Sequence, residues 1–399
     1  MQPVNKLQTL NSIISTPFVT AEFGGAQFGL RDKFNSHTKV RDVRYITSLT
    51  VDKKASGQVN TYSLALSYVV EPGADPNWLD LVISNSTDRK ILFSYGDMSQ
   101  PEYSYSKEQA IITKVTPDIQ IASNVIKYNI SATSSVALSY SIKRNFQARK
   151  AKPSTVIIEQ LFTNTENGLL ELFGGMRDKA KVLEKGWIAT NDKEVYIDGA
   201  KDISPLDYLR LLVSKMEAAD NSFFAMLIHD EPDNIDGPYF EVINSNLHQG
   251  AGNRYSVEID VGYPSDTPVF SFTPTQNASL ALITPYQKKY DEKLIMNVNE
   301  QGEFLKAGTP SLAIKNGSAD QSLKTWWNTM TGYPVNATLR TRGLIKPSIL
   351  CEYLDINVLF FGQPYNYSGF YMVTGQKDVI DLTGYYTDLS LVRVEGKNV

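Results

Sequence analysis

Chemistry needs titratable or metal-ligating side chains at fixed spacing, and this chain offers few such groups. The densest run is His229-Asp-Glu-Pro-Asp-Asn-Ile-Asp236. Four carboxylates beside an imidazole suggest a divalent cation. A calcium loop of the EF-hand kind places its carboxylates at alternate positions ahead of a glycine. Asp230, Glu231, Asp233 and Asp236 fall at offsets 0, 1, 3 and 6, with Pro232 among them, and fail that template. The run reads as a solvated hairpin loop. His37 and His248 lie in polar, turn-like segments, and no HExxH or paired-histidine spacing occurs. Neither a Gly-Lys-Ser/Thr phosphate cradle nor a nucleophile elbow is present. The single cysteine, Cys351, sits in the apolar run Ile349-Leu-Cys-Glu-Tyr-Leu354 and reads as a small buried residue. One thiol makes no internal disulfide, so the fold does not rely on an oxidising compartment. A glycosidase needs two carboxylates across a cleft. Asp230 to Asp236 could face Asp378 or Asp381, but no spacing places them so. Six Asn-x-Ser/Thr sequons, Asn85 and Asn336 among them, read as chance in a chain rich in those residues. No catalytic, cofactor-binding or metal residue is assigned. No cofactor is expected, and the chain reads as a non-enzyme.

Bulk properties turn the question from chemistry to architecture. At 399 residues the chain calls for two or three domains. Its 42% hydrophobic content supplies real cores, and 22 Tyr with 17 Phe lean towards β structure. A net charge of −4 gives no electrostatic grip on a nucleic acid backbone. Lys143, Arg144, Arg149, Lys150 and Lys152 make a basic stretch. It reads as a charged linker running to Pro153. The start, Met1-Gln-Pro-Val-Asn-Lys-Leu7, has no apolar core of signal-peptide length. No run of about 18 apolar residues exists to span a membrane. Assembly in a cytoplasm is expected.

Residues 1–40 read as an N-terminal arm, ordered against a neighbour. Residues 41–152 read as a first β module. Within it Tyr62, Leu64, Leu66, Tyr68 and Val70 share one strand face, and Lys53 to Gly57 is the preceding turn. Trp78, Leu79, Val82 and Ile83 share a helical face, with Asp75 as N-cap and Pro76 in the first turn. Strands are expected over Ile91–Tyr95, Ala110–Val115 and Val125–Ala132. Residues 153–250 read as an α/β domain. Ser154 is expected to cap a helix packing Ile157, Ile158 and Leu161 inward. Leu169 to Met176 makes a short apolar turn or helix. A longer helix, Pro205–Ala218, has Ser204 as N-cap and Asp207 near its positive end. Phe223–Ile228 and Gly237–Ile243 flank the acidic loop as a hairpin.

Residues 251–275 and 335–399 read as a second β module, interrupted by an insertion over 276–334. The insertion carries a helix with Trp326 and Trp327 and a polar, Gly-rich excursion over 286–322. Near the C-terminus, Tyr385, Thr387, Leu389, Leu391 and Arg393 form the inward face of the last strand. Gln376 to Gly384 reads as the turn before it.

This C-terminal stretch resembles the closing β module of baseplate hub proteins of long-tailed bacteriophages. The likeness rests on Arg340-Thr-Arg-Gly343, Phe360-Phe-Gly362, Ser368–Val373 and Gly384–Arg393. Asp75-Pro-Asn77, Arg89–Asp97 and Glu108–Val115 extend it to the first module. The resemblance implies a mainly β fold with an inserted α/β unit and two tube-like barrel or sandwich modules. It also implies a structural role, since a hub joins a six-fold tail tube to a three-fold spike. A trimer whose subunits each carry two similar modules meets both symmetries. The partners implied are other copies in a homotrimer, a tail tube or distal tail protein, a central spike or tail lysin, and a tape measure protein. DNA would pass through the lumen without specific binding, in a virion tail baseplate. Two rival readings stand beside it. One is a tail-associated cell-wall or polysaccharide hydrolase. The other is a receptor- or glycan-binding β protein using Tyr365, Tyr367 and Tyr371.

Overall fold

Period-two alternation of apolar residues accounts for most of the architecture. The computed structural model of the chain describes residues 5–7, 17–30, 44–79, 83, 89–97, 106–120, 123–136, 143–162, 179–216, 224–230, 239–244, 254–261, 269–276, 335–344 and 348–396. The Leu169–Met176 segment, the 286–322 excursion and the tryptophan helix lie outside them.

Strands β1 (Asn5–Lys6), β2 (Pro17–Phe23), β3 (Ala26–Gly29), β4 (Arg44–Lys54), β5 (Thr61–Val69), β6 (Lys90–Asp97), β7 (Ser106–Gln120) and β8 (Val125–Ser134) come first. All but β1 form a run ordered β4-β5-β8-β7-β6-β2-β3. Tyr62, Leu64, Leu66 and Tyr68 are buried on the face their spacing indicates. Asp75 caps as expected, accepting the Asn77 N–H at 2.8 Å, and Trp78 and Leu79 are buried behind it. The described residues among the first forty pack against the rest of the chain. Val19, Ala21, Phe23 and Phe28 of the β2–β3 hairpin lie in the first core, and β1 pairs with a strand of the second module. Alternation in Val19-Thr-Ala-Glu-Phe23 gives β2 an apolar face that needs that core.

The basic stretch is not a linker either. It forms β9 (Arg144–Phe146) and β10 (Arg149–Ala151). Phe146 turns inward and stacks on Tyr208. Arg149 pairs with Glu159 at 2.5 Å and Lys150 with Glu194 at 3.5 Å. Helix α1 (Pro153–Phe162) follows, with Val156, Ile157 and Leu161 inward and Ile158 only half-buried. Ser154 does not act as the cap. Its N–H and hydroxyl both donate to buried Asp192, at 2.9 and 2.5 Å. A carboxylate at the positive end of the helix outcompetes a local hydroxyl.

Helix α2 (Lys179–Lys185), β11 (Val195–Ile197), β12 (Ala200–Ile203) and helix α3 (Pro205–Ser214) complete this layer. In α3, Ser204 accepts the Asp207 N–H at 3.1 Å, as its sequence indicates, and Leu206, Leu209 and Val213 are buried. Strands β13 (Phe224–His229) and β14 (Tyr239–Asn244) form an antiparallel hairpin. Both of its faces are buried. Met226, Ile228, Phe240 and Val242 pack on the helices, while Ala225, Leu227 and Ile243 pack on the second module. That explains the unbroken apolar run from Phe224 to Ile228.

The second module comprises β15 (Arg254–Val261), β16 (Val269–Gln276), β17 (Val335–Arg342), β18 (Tyr353–Phe360), β19 (Gln363–Pro364), β20 (Gly369–Asp381) and β21 (Gly384–Gly396). Tyr385, Thr387, Leu389 and Leu391 are buried, as alternation indicates. The expected turn at Gln376–Gly384 is strand up to Asp381. Asp381 Oδ1 accepts the N–H groups of Thr383 and Gly384, so the reversal takes two residues. The longer β20 pairs with β4 from Gly375↔Lys54 to Asp381↔Ser48, fusing both modules into one 15-stranded sheet.

A close approach fixes the end of the β17–β21 pairing. The Gly343 N–H donates to the Tyr385 carbonyl at 2.9 Å, and a Cβ at Gly343 would lie 2.4 Å from the Tyr385 ring. Gly343→Ala is expected to lower the unfolding free energy by roughly 1–3 kcal/mol, read from the urea midpoint.

Candidate functional site

Where the two modules and the α/β layer meet, polar side chains occupy positions that alternation reserves for the core. Lys53 continues the inward face of Leu49 and Val51. Glu108 precedes Ala110 and Ile112 on the inward face of β7, and Tyr95 follows Phe93 on β6. Lys53 Nζ pairs with Glu108 Oε1, both side chains shielded from solvent. Tyr95 donates to the same oxygen at 2.5 Å, and Tyr62 contacts Oε2 at 2.7 Å. The hydroxyl of Tyr62 also lies 2.8 Å from Asp230 Oδ2. That oxygen accepts from Asn60 Nδ2 at 2.8 Å and Ser134 Oγ at 2.5 Å. On the far side of Lys53, Asp378 accepts from Thr387 at 2.6 Å, Gln376 at 2.8 Å and Tyr385 at 3.3 Å.

Burial pushes Asp230 up to about 6. Hydrogen bonds from Ser134 and Asn60 pull against that rise, and the Glu108 carboxylate adds to it. Burial likewise pushes Asp378 up to about 6, against the Lys53 charge and the Thr387 and Gln376 hydrogen bonds. Burial, reinforced by neighbouring carboxylates, raises Tyr62, Tyr95 and Tyr385 well above the ordinary phenol, so all three stay protonated. The cluster is a junction between packed layers. Its carboxylates are sealed from solvent and cannot line a cleft.

Asp230 does not belong to a solvated loop: it is 2% exposed. Glu231, Asp233 and Asp236 lie outside the described residues, as do His37, His248 and Asn85. His229 stacks on Tyr239 and lies 3.1 Å from Glu241, with Trp187 stacked on the other side of Tyr239. Asp378, also read into a turn, is fully buried in strand. Asp381 caps the reversal. Cys351 is buried as expected, and burial pushes its thiol up to about 12, leaving it unreactive. The Tyr365, Tyr367 and Tyr371 row is broken, because Tyr371 is fully buried and donates to the Tyr367 carbonyl at 2.7 Å. Among the described residues no group of three or more His, Cys, Asp or Glu could hold a metal, and no helix is long and apolar enough to cross a membrane. The sequence places Tyr62 on a strand face and Lys53 in a turn, whereas Lys53 is in strand β4 and buried, and it does not single out Glu108, Asn60 or Ser134. Their signal was available for Lys53 and Glu108: a charge at an inward position of an alternating strand.

No family model matches the chain, and no curated protein does. Solved structures do. A tail protein from Neisseria meningitidis MC58 superposes with a TM-score of 0.52 at 9% identity, over 95% of this chain and 97% of that one. The 43 kDa tail protein of prophage MuSo2 from Shewanella oneidensis aligns at 0.48 and 9% identity, covering 95% and 98%. The E. coli c3393 protein aligns at 0.47 and 8% identity, covering 91% and 78%. It is described as a type VI secretion component structurally similar to the T4 tail proteins gp27 and gp5. The chain shares its fold with the Neisseria tail protein, mainly β with two β modules and an α/β unit.

A buried ion pair is most sensitive to loss of one partner, because the remaining charge is stranded. Lys53→Met is expected to cost roughly 3–5 kcal/mol, measured by equilibrium urea unfolding. Adding Glu108→Gln to that variant should recover much of the loss, since neither charge then remains unpaired.

Proposed function

We propose that the chain is the structural hub subunit of a phage tail or related injection machine. It forms a homotrimeric ring that joins the tail tube, or a distal tail protein, to the central spike or tail lysin. The ring surrounds the DNA path without binding DNA specifically, and a tape measure protein ends against it. The protein belongs to the virion baseplate, is assembled in the host cytoplasm, and carries out no catalysis.

One observation supports this reading above the rest. A single sheet runs through both β modules by way of the β4–β20 pairing, so each chain presents two β modules as one rigid body. Three such chains offer six modules to a six-fold tube and three equivalent positions to a three-fold spike. The likeness in fold to the Neisseria tail protein supports the same reading. The buried carboxylates favour it over a hydrolase, and the buried Tyr371 favours it over an aromatic glycan groove.

Large apolar side chains left in solvent are consistent with an assembling subunit. Ile119, Phe270 and Phe361 are each more than 60% exposed: 68%, 61% and 67%. Light scattering of the purified chain, alone and with its tube protein, is expected to give a species near three times 44.5 kDa. A stable dimer under both conditions would overturn the proposal.

A further inference from the structure

The Tyr62 hydroxyl carries one proton but lies between two carboxyl oxygens, Glu108 Oε2 at 2.7 Å and Asp230 Oδ2 at 2.8 Å. Both distances are those of true hydrogen bonds. If Tyr62 donates to one carboxyl, the other must donate to Tyr62. Glu108 is ion-paired with Lys53. Asp230 pairs with no cation among the described residues. Its second oxygen, Oδ1, is buried with no hydrogen-bond partner among those residues. An ionised carboxylate would leave part of its charge stranded there, whereas the carbonyl of a neutral acid loses far less. The proton therefore belongs on Asp230 Oδ2.

The position of Asp230 gives that proton a mechanical role. Asp230 directly follows β13, the strand buried between the helices and the second module. The contacts tying this strand to the first module cluster around it. Gln109 N–H donates to the Asp230 carbonyl at 2.9 Å, Gly57 N–H to the Met226 carbonyl at 2.8 Å, and Asn60 Nδ2 to the Ile228 carbonyl at 3.0 Å. Gly57 is itself held in place, its carbonyl accepting from Arg210 Nε of α3 at 2.8 Å.

We propose that this junction is a proton-operated joint, in which neutral Asp230 donates to Tyr62 and latches the β13–β14 hairpin onto the first β module. Loss of the proton to solvent sets a second carboxylate against Glu108 across a hydroxyl that can satisfy only one of them. The hairpin is then the element that yields. Among the described residues, the ionisable groups around Asp230 are Tyr62 on β5 and Glu108 on β7, then Lys53 on β4, Tyr95 on β6, Asp378 on β20 and Tyr385 on β21. His229 and Glu241 lie just behind it on the hairpin. Asn60 and Ser134 complete the shell without charge.

The direction with pH follows from linkage. A carboxyl with a folded-state value above its unfolded one takes up a proton on folding. Its stabilisation is complete below the ordinary carboxylate value near 4 and is lost as pH rises through about 6. Opening of the joint should therefore become about tenfold more frequent between pH 5 and pH 7.5. Native-state hydrogen exchange at the Gly57 and Gln109 amides, corrected for intrinsic rate, reads that opening. Wild type should show the rise and Asp230→Asn should lack it, while the Asp378 contribution is common to both. Equal pH slopes in the two proteins would overturn the joint. If Asp230→Asn does not fold, carbon NMR of wild type with labelled aspartate carboxyls decides. An Asp230 titration near 6 supports the proposal, and one near 4 removes it.

Discussion

Lys53 is a cation removed from water, with carboxylates drawn from distant parts of the chain arranged around it. Glu108 touches it from the first module, and Asp378 sits beyond it on the second. Asp230 reaches the same cluster from the α/β layer through Tyr62. An isolated buried ammonium is too costly to persist. The layers can therefore adopt no arrangement in which Lys53 is dry and Glu108 is elsewhere. Hydrophobic burial drives the three cores together but is indifferent to small slips in their relative position. The cluster is not, because hydrogen bonds at 2.5–2.8 Å fail within a fraction of an ångström.

The β13–β14 hairpin is the other consequence of this arrangement. Each of its faces belongs to a different core, so it has no polar side and behaves as a wedge of apolar side chains between two layers. A wedge of that kind transmits displacement well, since close-packed interiors have little compressibility. Its ends are polar. Asp230 enters the ionic cluster at one strand end, and the Trp187–Tyr239–His229 stack covers the neighbouring strand beside Glu241. Register across the hairpin and register between the modules are thus linked through a handful of side chains.

A continuous sheet through both modules couples them through the backbone. Separate domains on a linker would swing about the connection. Seven ladder positions between β4 and β20, from Gly375 to Asp381, replace that freedom with backbone hydrogen bonding. On the outer face of the second module, Arg340 grips Asp388 with two hydrogen bonds, at 2.6 and 2.8 Å, while lying over the Tyr386 ring. This pair is exposed and adds little stability, but it fixes the direction of a charge on a surface available to neighbours.

How much of this was legible in the amino-acid sequence varies with the range of the forces involved. Local rules located the strands of both modules, the inward faces of β5 and β21, the Asp75 and Ser204 caps and the buried cysteine. Those features depend on side-chain alternation and on hydrogen bonds within a few residues. The same rules misplaced Ser154, whose partner Asp192 lies 38 positions away. They also misread the basic stretch, whose Arg149 and Lys150 are matched by Glu159 and Glu194. The acidic run and the Gln376–Gly384 segment looked like solvated turns because Asp, Gly and Gln ordinarily prefer water. Asp230 and Asp378 are buried only because Asn60, Ser134, Thr387 and Gln376 supply donors, several from sequence positions far away. The sequence by itself determined which residues could pair as strands and which faces must avoid water. Only the tertiary structure decided which polar groups accompany them inside, because the cost of burying a charge is set by its partners in space.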